Sequence, residues 1–137
     1  MHEGITMIIG ENVSHQRIVA AISQTDLLRI RDYIKGSVYC WCKNNQDNKG
    51  GNTRFTANDL FGGLNSNWHD TPLQILTDWH SNDGAQHPGL RAWKDLRYIL
   101  MKVIADDSRR SFRTDHTEKG RRTYLWTGID SHKPENL

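Results

Sequence analysis

Two apolar stripes at helical period govern what this chain can become. Leu27, Ile30, Ile34, Val38 and Trp41 recur at spacings of 3, 4, 4 and 3. Trp93, Leu96, Leu100, Val103 and Ile104 repeat the pattern later in the chain. Residues three and four apart lie on one face of a helix, so each stripe predicts an amphipathic helix with one side to be covered. The first helix starts near Thr25, behind the cap-forming run Ser23-Gln24-Thr25-Asp26, and ends before the polar run Asn44 to Asn52. The second spans about 91 to 106. Gly36 marks close packing or a bend inside the first, at a cost of up to about 1 kcal/mol relative to Ala. A chain of 137 residues with five Trp, four Tyr and three Phe is long enough to bury these faces in one domain.

Between the stripes lie two sets of start signals. In Phe55-Thr56-Ala57-Asn58-Asp59-Leu60-Phe61-Gly62, Thr56 and Asp59 form a capping box, Phe55 and Leu60 a hydrophobic staple, and Gly62 a left-handed stop. Thr71-Pro72-Leu73-Gln74 reads as a second capping box with Pro at the first helical position, and Leu73, Leu76 and Trp79 as the buried side. After the second stripe, Ser111 to Asp115 and Arg121 to Thr127 alternate apolar with polar residues around His116-Thr117-Glu118-Lys119-Gly120, the pattern of a hairpin. Upstream, residues 1–24 read as an arm carrying a short strand at Ile5 to Ile9 or a short helix capped by Ser14. Residues 128–137 read as a tail. The fold class expected is mainly α with a small β-hairpin, an α+β domain.

Charge is unevenly distributed. Residues 91–126 carry ten Lys or Arg against five Asp or Glu, whereas residues 1–90 carry seven against nine. A cationic helix and hairpin at the end of a small domain suit a polyanion. The N-terminus lacks a basic region with an apolar stretch and cleavage site, and no apolar run approaches the roughly 20 residues of a membrane span. The cytoplasm is the expected compartment. Cys40 and Cys42 would project about 200° apart on a helix and sit too close in sequence for an easy disulfide. They are weak zinc candidates, and among the seven His the polar stretch holding His69, His80 and His87 is where a mixed site is conceivable. Structural thiols are the preferred reading, and no metal is expected.

The order helix, strand-like Phe55-Thr56, short helix, longer basic helix and hairpin resembles the winged helix-turn-helix superfamily over residues 25–127. The telling residues are Phe55 to Leu60, the helix Trp93 to Ile104, and Phe112-Arg113 paired with Tyr124-Leu125-Trp126. One departure is an insertion at about 62–90, containing the Thr71 helix, where that superfamily usually has a tight turn. The Thr71 helix contains no Lys or Arg, so the Trp93 helix is preferred as the reading helix.

The resemblance implies a double-stranded DNA-binding protein, a transcriptional regulator in outline, compatible with a homodimer. Arg91, Lys94, Tyr98 and Lys102 would face a major groove, and Arg109, Arg110, Arg113, Lys119, Arg121 and Arg122 would line a wing gripping the phosphates. Arg31 and Arg97, at the edges of their stripes, read as packed stems with solvated heads.

The alternative is a protein-interaction module, an inhibitor or adaptor from a phage or mobile element, with Trp68 and His69 of the insertion as anchor. A loop lid over the core is the plainer role for Trp68. Single-stranded DNA or RNA would require stacking, chiefly on Tyr98. There is no Gly-rich phosphate loop, no Gly-x-Ser-x-Gly elbow and no His-Glu-x-x-His. His69-Asp70 and Asp78-Trp79-His80 are ordinary polar neighbours, so neither an enzymatic role nor a cofactor is expected.

Overall fold

A computed structural model describes residues 18–45, 54–63 and 66–130. The readings made for the Ile5 to Ile9 segment, for most of the Asn44 to Asn52 loop and for the chain beyond 130 lie outside the described residues. A helical turn at 18–21 delivers Ile18 and Ile22 to the core. The Ser23 hydroxyl then accepts the Asp26 backbone N–H at 3.1 Å and starts α1, Gln24–Asn45. Ile30, Ile34, Val38 and Cys42 are its buried stripe. Gly36 does not pack closely, because a Cβ there would meet nothing within 4 Å.

The strand β1 is only Arg54–Phe55, and α2 follows at Ala57–Phe61. Both bonds of the Thr56/Asp59 capping box form, and Gly62 closes the helix at φ 87° with its N–H on the Asn58 carbonyl. The insertion carries α3, Gln74–Asn82. Its start differs from the expected capping box. Thr71 Oγ1 accepts from the Leu73 N–H at 3.2 Å, but the Gln74 side chain donates to Asp78 and does not return to the cap. Thr71-Pro72-Leu73 is therefore a turn leading into the helix.

Trp68 is 8% exposed, donates its indole N–H to the Phe61 carbonyl at 3.1 Å and lies against Trp93, ring centroids 6.1 Å apart. It closes the core over the end of α2, which takes it away from the partner-anchor role.

The longest buried face belongs to α4, Pro88–Ala105, with Pro88 in the first turn. Trp93, Leu96, Ile99, Leu100, Val103 and Ile104 pack inward against α1 and α3. Burying each such side chain stabilises the fold by roughly 1.5–3 kcal/mol.

The hairpin strands β2 (Arg110–His116) and β3 (Arg122–Asp130) complete a three-stranded antiparallel sheet of order β1-β3-β2. The last strand thus takes in residues 128–130, assigned above to the tail. Registers Phe55↔Tyr124, Thr114↔Tyr124 and Phe112↔Trp126 set aromatic residues on the inner face. Phe55 lies 5.5 Å from Tyr124 and 6.4 Å from both Phe112 and Trp41, ring centre to ring centre. The result is an α+β domain in which the sheet and α4 share one core.

Candidate functional site

Because α4 and the hairpin pack on the same core, their outer surfaces meet at an angle and leave a groove of about 590 Å³. One wall is a stripe of α4, with Leu90 and Arg97 exposed and Lys94, Tyr98 and Met101 half-buried, at helical spacings that make them neighbours. The other is the hairpin end: His116, Lys119, Gly120, Arg121 and Arg122. Ala57, Asn58, Trp93, Leu100 and Tyr124 lie between.

Local bonds hold the hairpin end in shape. Thr117 N–H donates to the Arg121 carbonyl at 2.8 Å, the Arg121 N–H to Thr117 Oγ1 at 3.0 Å, and the Gly120 N–H to the Thr117 carbonyl at 2.8 Å. Gly120 sits at φ 82°, a conformation glycine adopts without steric cost.

Five cations line this groove, and among the described residues no carboxylate lines it. Like charges about 8 Å apart repel by about 0.5 kcal/mol per pair even in water, and more beside low-dielectric protein. A site of this kind favours an anion that neutralises several charges at once. Tyr124, at its floor, registers the same field. Burial pushes the phenol up to about 12, while Arg122 and Arg97, from opposite walls, pull it back down.

Four of the segment's five acidic residues are held by other partners, and the fifth, Glu118, is exposed in the hairpin turn beside Lys119. Asp95 is buried at 2% exposure on α4 and bonds to the ring Nε2 of His80, itself buried on α3. Asp106 accepts from Arg31 at 3.2 Å. Asp107 accepts from the backbone N–H groups of Arg109 and Arg110 and from the Tyr39 hydroxyl, all at 2.8 Å. Asp115 accepts the N–H of His116.

Of the residues singled out from sequence, the groove gathers Lys94, Tyr98, Lys119, Arg121 and Arg122. Arg91 and Lys102 are exposed on α4 but further round the helix, and Arg109 and Arg113 are exposed on or beside β2 outside the groove.

Arg110 departs from the expected phosphate-gripping role. Its guanidinium lies between the rings of Tyr39 and Trp126, 4.2 and 4.3 Å from their centroids, at the far end of the hairpin. Arg97 is the converse. Read as a packed stem, it is exposed and lines the groove. Its spacing of three from Lys94 was the available signal.

His69 is exposed beside Asp70 at 3.5 Å, well separated in kind from the buried Trp68. Cys40 is exposed and Cys42 buried, and the described residues contain no group of three or more His, Cys, Asp or Glu arranged to hold a metal ion. No described helix is long and apolar enough to cross a membrane. No family model, curated protein or solved structure matches the chain.

Proposed function

We propose that this protein binds double-stranded DNA, with α4 entering a major groove and the hairpin end gripping the adjacent phosphate backbone. The observation that carries the reading is the pair of cationic walls, Lys94 and Arg97 on α4 against Lys119, Arg121 and Arg122 on the hairpin, without an intervening carboxylate. A B-form major groove is about 12 Å wide and admits an α-helix. The 18 residues of α4 give it a length of about 27 Å, enough to cross that groove. A phosphate ridge flanking the groove then lies against Lys119, Arg121 and Arg122 of the hairpin, which leaves Lys94 and Arg97 on α4 toward the base edges. Arg91 and Lys102, exposed further round α4, extend the positive surface to the opposite ridge.

The element order is compatible with the winged helix-turn-helix resemblance, with α3 as an addition that braces α4 from behind. A regulatory role in transcription follows from that resemblance and is part of the proposal. The burial of Trp68 argues against the insertion as a protein anchor. The test is a mobility shift of a random duplex pool at low salt, competed with single-stranded DNA of the same composition. Retarded duplex, displaced less well by single strands, is expected; no retarded duplex contradicts the proposal.

A further inference from the structure

The proposed DNA site has a one-sided chemistry. Helix α4 is Pro88-Gly89-Leu90-Arg91-Ala92-Trp93-Lys94-Asp95-Leu96-Arg97-Tyr98-Ile99-Leu100-Met101-Lys102-Val103-Ile104-Ala105. It has no Asn, Gln, Glu, Ser or Thr, and its one acid, Asp95, is buried against His80. Adenine is read in the major groove by a bidentate Asn or Gln, and the cytosine amino group by a carboxylate. Neither reader exists on the exposed face. What that face does offer is Lys94 and Arg97, donors suited to guanine O6 and N7, set among Leu90, which is 41% exposed, and Met101. Those apolar groups suit the thymine C5-methyl.

Resting on the duplex-binding reading above, we infer that α4 reads guanine O6/N7 through Arg97 and Lys94 and the thymine methyl through Met101 and Leu90. Each G·C pair is recognised from its purine and each A·T pair from its pyrimidine. A good bidentate contact discriminates by roughly 5- to 150-fold, and a methyl contact lies toward the lower end of that range.

The experiment begins with selection of a preferred site from a random duplex pool, followed by binding titrations on that site carrying single-atom changes. Replacing a contacted thymine by deoxyuridine removes only the methyl, and replacing a contacted guanine by 7-deazaguanine removes only N7. The expected result is a loss of about five-fold or more for each at selected positions. Met101→Ala/Leu90→Ala is expected to abolish the deoxyuridine effect and spare the 7-deazaguanine effect, and Arg97→Ala/Lys94→Ala to do the reverse. Leu90 and Arg97 are exposed and Lys94 and Met101 half-buried, so thermal melts of the variants accompany the titrations and separate loss of contact from loss of fold.

A duplex-binding protein with no selected site, or with one indifferent to both analogues, overturns this inference and leaves the proposed function standing. Absence of any duplex binding overturns both.

Discussion

The two ends of the hairpin carry similar charges and put them to opposite uses. At the tip, Lys119, Arg121 and Arg122 face Lys94 and Arg97 across a groove without a carboxylate. At the base, Arg110 stacks between Tyr39 and Trp126, and Asp107 ties the Tyr39 hydroxyl to the backbone that leads into β2. Arg31 meets Asp106 beside the same junction. A cation surrounded by aromatic faces and carboxylates stabilises the fold. Cations gathered on facing walls instead favour an external anion. Net charge along a sequence therefore counts two populations of arginine that geometry separates.

The strongest way to test that separation is to attack the internal set where it is most buried. Asp95→Ala leaves the buried His80 ring without its carboxylate partner, and a buried polar group left unsatisfied costs about 1–3 kcal/mol. Urea denaturation should show that loss, while duplex binding at a temperature where the variant is folded stays close to the parent. An unchanged midpoint would show that the pair contributes little to holding α3 on α4.

The mirror-image change acts on the groove. Arg121→Glu/Arg122→Glu should weaken binding to every duplex sequence on the order of 100-fold at moderate salt, with an unchanged melting temperature. Binding that survives the double reversal would remove the hairpin from the interface.

A finer comparison sets two single arginines against each other. Arg110→Ala loses its stacking on both rings and is expected to destabilise by about 1–2 kcal/mol, with duplex affinity altered less than two-fold. Arg97→Ala should lower affinity several-fold and leave stability within about 0.5 kcal/mol. If the two variants gave the same profile, the distinction between the hairpin ends would collapse.

The smallest effect is on alkaline stability. Burial, then the hydrogen bond to Asp107 and that carboxylate's charge, push the Tyr39 phenol up to about 12, against a weaker downward pull from Arg110 and Arg109. Tyr124 is also raised to about 12, by burial. Both values exceed the ordinary phenol value of about 10, so folding favours the neutral form. That contribution is fully present below about pH 10 and is lost as pH rises through about 12. Tyr39→Phe should flatten part of the decline in urea midpoint over this window; an identical decline would assign the alkaline loss to other groups.

What could be read in advance was local. The Thr56/Asp59 box and the Gly62 stop each depend on residues no more than six apart, and they form as written. The stripe of α4 needed only helical period, and the hairpin only alternation around a glycine. The misread residues depend on partners far along the chain. Arg110 is set by Tyr39, 71 positions away, and Asp107 by a hydroxyl 68 positions away. The His80–Asp95 pair joins two helices. Arg97 failed for the same reason, since the hairpin across from it, unseen in the stripe, makes that edge of α4 a wall. Trp68, by contrast, takes the lid role read for it from sequence, with its acceptor at nearby Phe61.

The central claim is that the hairpin cations, together with Arg91 and Lys102, meet phosphates, and the most direct measurement is the salt dependence of duplex affinity. With three to five phosphates neutralised, log Kd against log salt should be linear, with affinity falling at a slope of about −3 to −5. The slope should shrink by about two units in Arg121→Ala/Arg122→Ala. An affinity that does not change with salt, or a slope identical in that variant, would contradict the account.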